Sequence, residues 1–527
     1  MTCEQIVMMI RQISYGLILT AAICLISCKG DKKKKPGKNV YASDIEKGKS
    51  LAIKYCQSCH MLPDPSWLDT KTWEMGVLPQ MGPRLGIFSF NETSYPYSRV
   101  DLTLKKDFYP TKPLMTDEEW QQILDYYIYT SPDSIKENKD RVYPAKEGLS
   151  LFTVETPSSK DFTPATSFVR IDTTSKKLPF VVADATKTSI YRYSSELKPV
   201  DSFKVGGPVV NIESNNNKWI ACNIGIIHPN NGTYGSVLSI NELQAAAKKP
   251  DTKLFSGLQR PVQATPVDLN NDGKEDYLIC EFGFLTGALS WMENKGDSFT
   301  RHVIRPLPGA IKAYVDDYNH DGLKDFWVLF AQGEEGIFLY TNEGNGKFSE
   351  KEVLRFPPVY GSSYFEMDDF NKDGFPDILY TCGDNADYSP ILKPFHGVYI
   401  YLNDGHNQFN QQYFYPINGC YKAIARDFDS DGDLDIATIS FFADYVNHPE
   451  ESLVYLENKG NYNFLPYSLP GSQTGRWLTM DAGDFDHDGK TDLIIGNFAV
   501  APLFIKSSND WKTGPPFIIL KNTGKSH

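Results

Sequence analysis

The pattern D-x-[DN]-x-D-G-x-x-D occurs five times after residue 260 and constrains the fold more than any other feature of the 527-residue chain. The copies are Asp268-Leu-Asn270-Asn-Asp272-Gly-Lys274-Glu-Asp276, Asp317-Tyr-Asn319-His-Asp321-Gly-Leu323-Lys-Asp325 and Asp369-Phe-Asn371-Lys-Asp373-Gly-Phe375-Pro-Asp377, then Asp427-Phe-Asp429-Ser-Asp431-Gly-Asp433-Leu-Asp435 and Asp484-Phe-Asp486-His-Asp488-Gly-Lys490-Thr-Asp492. Successive copies start 49, 52, 58 and 57 residues apart. Side chains at positions 1, 3 and 5 converge on one point, Gly at position 6 permits a sharp turn, and Asp at position 9 closes the shell. With the backbone carbonyl of position 7 (Lys274, Leu323, Phe375, Asp433, Lys490), these hard oxygens suit Ca²⁺. Carboxylates crowded this closely repel one another without a cation. An EF-hand does not fit: the twelfth positions are Ile279, Val328, Tyr380, Thr438 and Ile495, none of them Glu, and an apolar strand-like run follows each loop.

A unit repeating at this period implies an array of similar modules. After each loop come a strand, a variable insert, and a second strand ending in an Asn/Gly turn before Phe, as in IFLYTNEGNGKF. These features resemble the FG-GAP or VCBS repeats of calcium-bearing β-propellers. The resemblance implies an all-β propeller over residues 161–523 with about five Ca²⁺ ions. Two weaker repeats, 165–205 and 206–258, lack the Asp loop and bring the expected count to seven blades. The C-terminal FIILKNTG matches the third-strand element and is expected to close the ring against the first blade.

Because each loop precedes a strand, the insert after that strand lies at the opposite end of the blade. The inserts carry Glu281, Phe282, Gln332, Glu334, Glu335, Glu451, Asn497 and Phe498. The candidate mouth site is Asp384, Asp387, Lys393, His396, Asp444 and His448, with plain solvated loops as the alternative reading.

Upstream, residues 56–60 read Cys-Gln-Ser-Cys-His. Two thiols one helical turn apart can both reach the vinyl groups of a porphyrin, and the adjacent His then lies under the iron. Zinc fits poorly, since His60 is the one His between Cys28 and residue 227. No thioredoxin-like βαβ pattern surrounds the pair. Residues 43–55 read as a helix with Ser43 as N-cap and Ile45, Leu51 and Ala52 on one face. Residues 116–130 begin with a Thr116/Glu119 capping box and place Trp120, Ile123, Leu124, Tyr127 and Ile128 on one face. Two such helices bracketing CxxCH resemble a small class I-like cytochrome c domain, over residues 43–135. The resemblance implies one covalent haem c on Cys56, Cys59 and His60. With no second His available, Met81, shortly after Pro79, is the first candidate for the sixth ligand; Met115 and Met75 stay open.

Residues 13–27 form an apolar run ending in Leu25-Ile26-Ser27-Cys28, which resembles a bacterial lipobox. The expectation is a leader over 1–27, an acylated Cys28 that partners a lipid membrane, a tether over 28–42, and a linker over 136–160. The location expected is the cell envelope, on the periplasmic or surface face of an outer membrane. A net charge of −13 argues against a nucleic-acid partner. The function expected is electron transfer with a redox protein or small-molecule reductant. A haem-linked dehydrogenase with its active site at the propeller mouth, and a surface adhesin or glycan binder, are the alternatives.

Overall fold

The computed structural model describes residues 41–96, 103–137, 141–146, 149–158, 163–215, 218–241, 252–386, 388–500, 507 and 509–524. The expected leader, Cys28 and Asp387 lie outside them.

Strand-length apolar runs separated by Gly- and Asn-bearing turns fold into seven four-stranded antiparallel sheets, the blades of a propeller. Numbered in chain order, blades 1 to 7 have the first strands Thr166–Ile171, Val209–Asn215, Pro261–Val267, Ala310–Asp316, Ser362–Asp368, Cys420–Arg426 and Trp477–Gly483. In blades 3 to 7 the second strand is buried along its whole length, as in Asp325–Phe330 and Asp377–Cys382. Such a strand is covered on both faces, which explains its unbroken apolar run. The fourth strands are less covered, and Phe299–Arg305 faces water along most of its length. Apolar clusters weld neighbouring blades: Leu278, Val328 and Phe338 join blades 3 and 4, and Ile424, Ile439, Ile495 and Ile518 join blades 6 and 7. Each such side chain contributes about 1.5–3 kcal/mol on burial.

The ring closes where expected, with Phe517 and Ile519 of FIILKNTG packed against Val169 and Phe180 of the first blade, but the strand that completes the last blade comes from an unexpected place. Phe517–Asn522 is the third strand of blade 7, behind Trp477–Gly483 and Asp492–Asn497, and the fourth strand is Phe152–Glu155. The register pairs Phe152 with Asn522 and Val154 with Leu520. Phe152 anchors this joint, its ring 5.8 Å from Phe428 and 5.9 Å from Tyr455 of blade 6. The propeller therefore begins at residue 152, inside the stretch expected to be linker.

Ahead of the propeller, helices Ala42–Tyr55 and Asp117–Thr130 pack on each other. The Thr116/Glu119 capping box is formed. Ser43 is not the N-cap; the helix starts one residue earlier, with Tyr41 at the cap position and no side-chain cap bond. The helices meet at Gly48, where a Cβ would lie 2.0 Å from the Gln122 carbonyl oxygen. Trp73, Trp120 and Tyr127 fill the core beneath them, which continues into Val359, Tyr360, Ile391 and Phe395 of the propeller. The helical part thus sits on the mouth face. The segment joining the two parts is fastened to blades 5 and 6: Arg141 pairs with Glu451, Tyr143 stacks on His448 at 4.0 Å, and the Tyr415 hydroxyl donates to the Val142 carbonyl at 2.9 Å.

Candidate functional site

The five loops share one backbone shape. In the second, the Asp317 carboxylate accepts the N–H groups of Asp321 and Gly322, both at 3.0 Å. Asn319 accepts from Asp321 N–H at 3.0 Å, and Asp321 from Leu323 N–H at 2.8 Å. The turn needs left-handed backbone twice, at position 6 (Gly322, φ 88°) and at position 4 (His320, φ 59°). Position 4 carries a side chain in every copy: Asn271, His320, Lys372, Ser430 and His487. Position 9 has a second task. Asp435 accepts N–H bonds from Asn458 at 2.8 Å and Phe428 at 3.2 Å, and the Tyr455 hydroxyl at 2.7 Å, so it ties the loop to the end of the third strand.

A residue that the Asp pattern did not flag completes this tie. Asn342 donates through Nδ2 to the Lys324 carbonyl at 3.1 Å and to the Leu269 carbonyl of the preceding blade's loop at 2.8 Å, while its Oδ1 accepts from Gly344 N–H at 2.9 Å. Asn294, Asn403, Asn458 and Asn522 occupy the same place. The recurring Asn-x-Gly was visible in the sequence as a turn, without this role. In blades 6 and 7 the carboxylate oxygens of Asp427, Asp429 and Asp435, and of Asp484, Asp486 and Asp492, lie within 4.8 Å of one another. Burial pushes Asp377 up to about 6, and Asp435 and Asp492 up to about 7. Nearby amines also engage the loops: Lys274 meets Asp272 at 2.9 Å and Lys490 meets Asp488 at 2.8 Å. The all-oxygen donor set fits a hard divalent cation.

Between the helical part and the propeller is a cavity of about 570 Å³. Cys56, Cys59, His60 and Met81 all line it. Of the other candidate methionines, Met75 is 71% exposed, and Met115 is buried in the helical core without lining the cavity. His60 Nδ1 lies 2.8 Å from the Met61 carbonyl. A carbonyl can only accept, so Nδ1 carries the proton and the Nε2 lone pair is left for a metal. Burial holds the His60 pKa below its usual value, which favours the neutral imidazole, and pushes the Cys56 thiol up to about 12. Trp73, Leu78, Leu85 and Trp120 supply apolar walls; the propeller supplies the rest, including Phe284, Arg305, Phe330 and Val359. Two thiols, an imidazole and a thioether in a largely apolar cavity are a donor set that fits haem c.

The inserts do gather on one face. Phe282, Gln332, Asp384, Phe441 and Phe498 line a second cavity of about 900 Å³ that continues into the central channel. The six mouth candidates are divided within it. Lys393 is 2% exposed, pairs with Asn385 and donates to the Ser389 carbonyl at 2.8 Å. His396 is 1% exposed, and burial holds its pKa well below the usual value. Both lie inside their own loop. Asp444 accepts from Asn447 N–H at 3.1 Å and caps its turn, and His448 is taken up by Tyr143 and by Glu450 at 3.3 Å. Of the five that lie among the described residues, only Asp384 lines the channel cavity.

Sequence reasoning passed over the channel wall itself. Polar side chains interrupt the apolar inner strands and bond across to the next blade. Gln263 accepts from Ala313 N–H at 2.6 Å, Glu366 from Ala425 N–H at 2.9 Å and Asp481 from Ile171 N–H at 2.8 Å. Lys422 donates to the Met480 carbonyl at 2.8 Å, and desolvation lowers its pKa to about 8.

Fold and loops together define a seven-bladed β-propeller with an FG-GAP-like repeat. The FG-GAP-like repeat family model matches residues 317–380, from the first Asp of the blade 4 loop into the second strand of blade 5. Among solved structures, one from S. cerevisiae, described as a Dbp5 variant bound to Nup159, a Gle1 variant, IP6 and ADP, is similar at a TM-score of 0.39 and 11% identity, covering 72% of this chain and 98% of that one. A likeness that loose carries no argument about function.

Proposed function

We propose that the chain is a monohaem c-type cytochrome that transfers electrons, with a calcium-stabilised propeller that docks a redox partner or substrate and an acyl anchor on Cys28. The observation that carries this reading is the convergence of Cys56, Cys59, His60 and Met81 on one cavity. Cys56 and Cys59 would hold the group covalently, and His60 and Met81 would face its iron. When bound, haem supplies a one-electron couple. The chain's part is to orient His60 through the Met61 carbonyl, to keep water away with Trp73 and Trp120, and to cover the group with propeller loops. Neutral His/Met ligation favours the reduced iron and a raised potential. For calcium, the support is the five all-oxygen loops and the burial of position 9.

The test is production with cytochrome maturation machinery. Covalent haem should be present in the wild type and lost in the Cys56→Ser/Cys59→Ser double variant. Met81→Ala should keep the haem and lower its reduction potential; a potential unchanged by Met81→Ala but lowered by Met115→Ala would move the sixth ligand. A wild type with no covalent haem would end the reading. The dehydrogenase reading gains from one observation, the contiguity of the channel with the haem cavity.

A further inference from the structure

We propose that the central channel binds a small, uncharged, polyhydroxylated compound, a monosaccharide or polyol, directly beside the haem cavity. The proposal rests on the reading above only for what lies next door; the site itself belongs to the propeller.

The cavity of about 900 Å³ is walled by all seven inner strands, through residues such as Ser167, Asn211, Val262, Ile311, Ser363, Tyr421 and Leu478. A volume of that order encloses a small ligand. Its charges cancel: four basic side chains, Lys312 and Lys422 among them, face four acidic ones that include Glu213 and Asp481. An anion would meet those carboxylates and a cation the amines, whereas hydroxyl groups can donate to one set and accept from the other. Among the described residues, two buried acceptors of this wall have no partner, Asn211 Oδ1 in the channel and Gln332 Oε1 at its mouth. Each calls for a donor, since a buried acceptor left unpaired costs about 1–3 kcal/mol. Phe282, Tyr421, Phe441, Phe442 and Phe498 add aromatic surface at the same end, suited to the apolar face of a sugar ring.

Position makes the site more than a water pocket. Ala331, Gln332, Glu335, Pro358, Val359 and Ser389 line both this cavity and the one holding Cys56, Cys59 and His60. A compound in the channel and a haem in its cavity would be separated by one layer of side chains.

The experiment is calorimetric titration of the haem- and calcium-loaded protein with D-glucose and D-mannitol, against D-gluconate and D-glucosamine. At least one neutral compound is expected to bind tenfold or more tightly than either charged one, and saturation is expected to shift the haem spectrum. Leu478→Trp, filling the channel from blade 7, should weaken binding at least tenfold with the melting temperature kept; Ile311→Trp, from blade 4, serves if the first variant does not fold. Failure of all four compounds to bind at millimolar concentration, equal binding of the charged ones, or indifference of binding to a folded Trp variant would each overturn the proposal. Sugar binding in a wild type without covalent haem would uphold the channel and overturn the haem reading; covalent haem without sugar binding would do the reverse.

Discussion

The two ends of the propeller are built on opposite principles. At one end, five nine-residue loops repeat one backbone shape, each with its own capping carboxylates and its Asn-x-Gly tie. At the other, the inserts differ widely in length, from residues 331–335 in blade 4 to 498–516 in blade 7. Repetition marks the end that holds the blades together. Variation marks the end that meets the helical part and opens the channel.

Removing calcium should produce the largest effect, because all five loops act at once. At a hundredfold excess over Kd one site contributes about 2.7 kcal/mol. Chelator is therefore expected to lower the propeller melting temperature in calorimetry while the haem absorbance holds. An unchanged melting curve would break the contrast between the ends.

At the mouth, Arg141→Ala should cost about 3–5 kcal/mol, since Glu451 is left buried without its partner. The reading is urea denaturation; a loss below about 1 kcal/mol would mean that the joining segment is not held there.

Asp435→Ala should cost about 2–3 kcal/mol even in chelator, from two backbone N–H groups and the Tyr455 hydroxyl left unpaired. Asp431→Ala, on the exposed side of the same loop, should cost no more than about 0.5–1.5 kcal/mol in chelator, from its bond to Asp433 N–H, and more when calcium is present. Equal losses in chelator would dissolve the distinction between position 9 and the rest.

Smallest is a slope. The Lys422 pKa of about 8 lies below the ordinary 10.5, so between those values the unfolded chain holds more protons and folding stability rises with pH. Below pH 8 the contribution is constant. Lys422→Met should flatten that alkaline limb in melts run from pH 7 to 10.5, and a limb that persists would assign it elsewhere.

The shape of the Asp loops was legible in the sequence because each loop's own capping groups lie within nine residues, whereas the more distant Asn tie was seen only as a turn. The Thr116 capping box was legible for the same reason. The seven blades followed from repetition, including the two without Asp loops. What escaped was non-local. Phe152 pairs with Asn522 across almost the whole domain, and a four-residue strand carries no periodic signal of its own. Lys393 and His396 were polar residues in a polar loop, and burial by their own segment leaves no mark in composition. The charges on the channel's inner strands, such as Glu213, Lys312, Lys422 and Asp481, lie on separate strands, and only the ring sets Lys422 beside Asp481.

The closing strand also has a mechanical meaning. Phe152–Glu155 is at once the last edge of the ring and the first part of the propeller on the chain leaving the helices. Tension applied through the N-terminal end therefore loads blades 5 and 6 first, through Arg141 and Val142, and only once those bonds yield does it reach this four-residue strand, whose loss would unlatch blade 7. The bonds of Arg141 and Val142 to blades 5 and 6 stand just ahead of that strand, in the position of a strain relief on a cable.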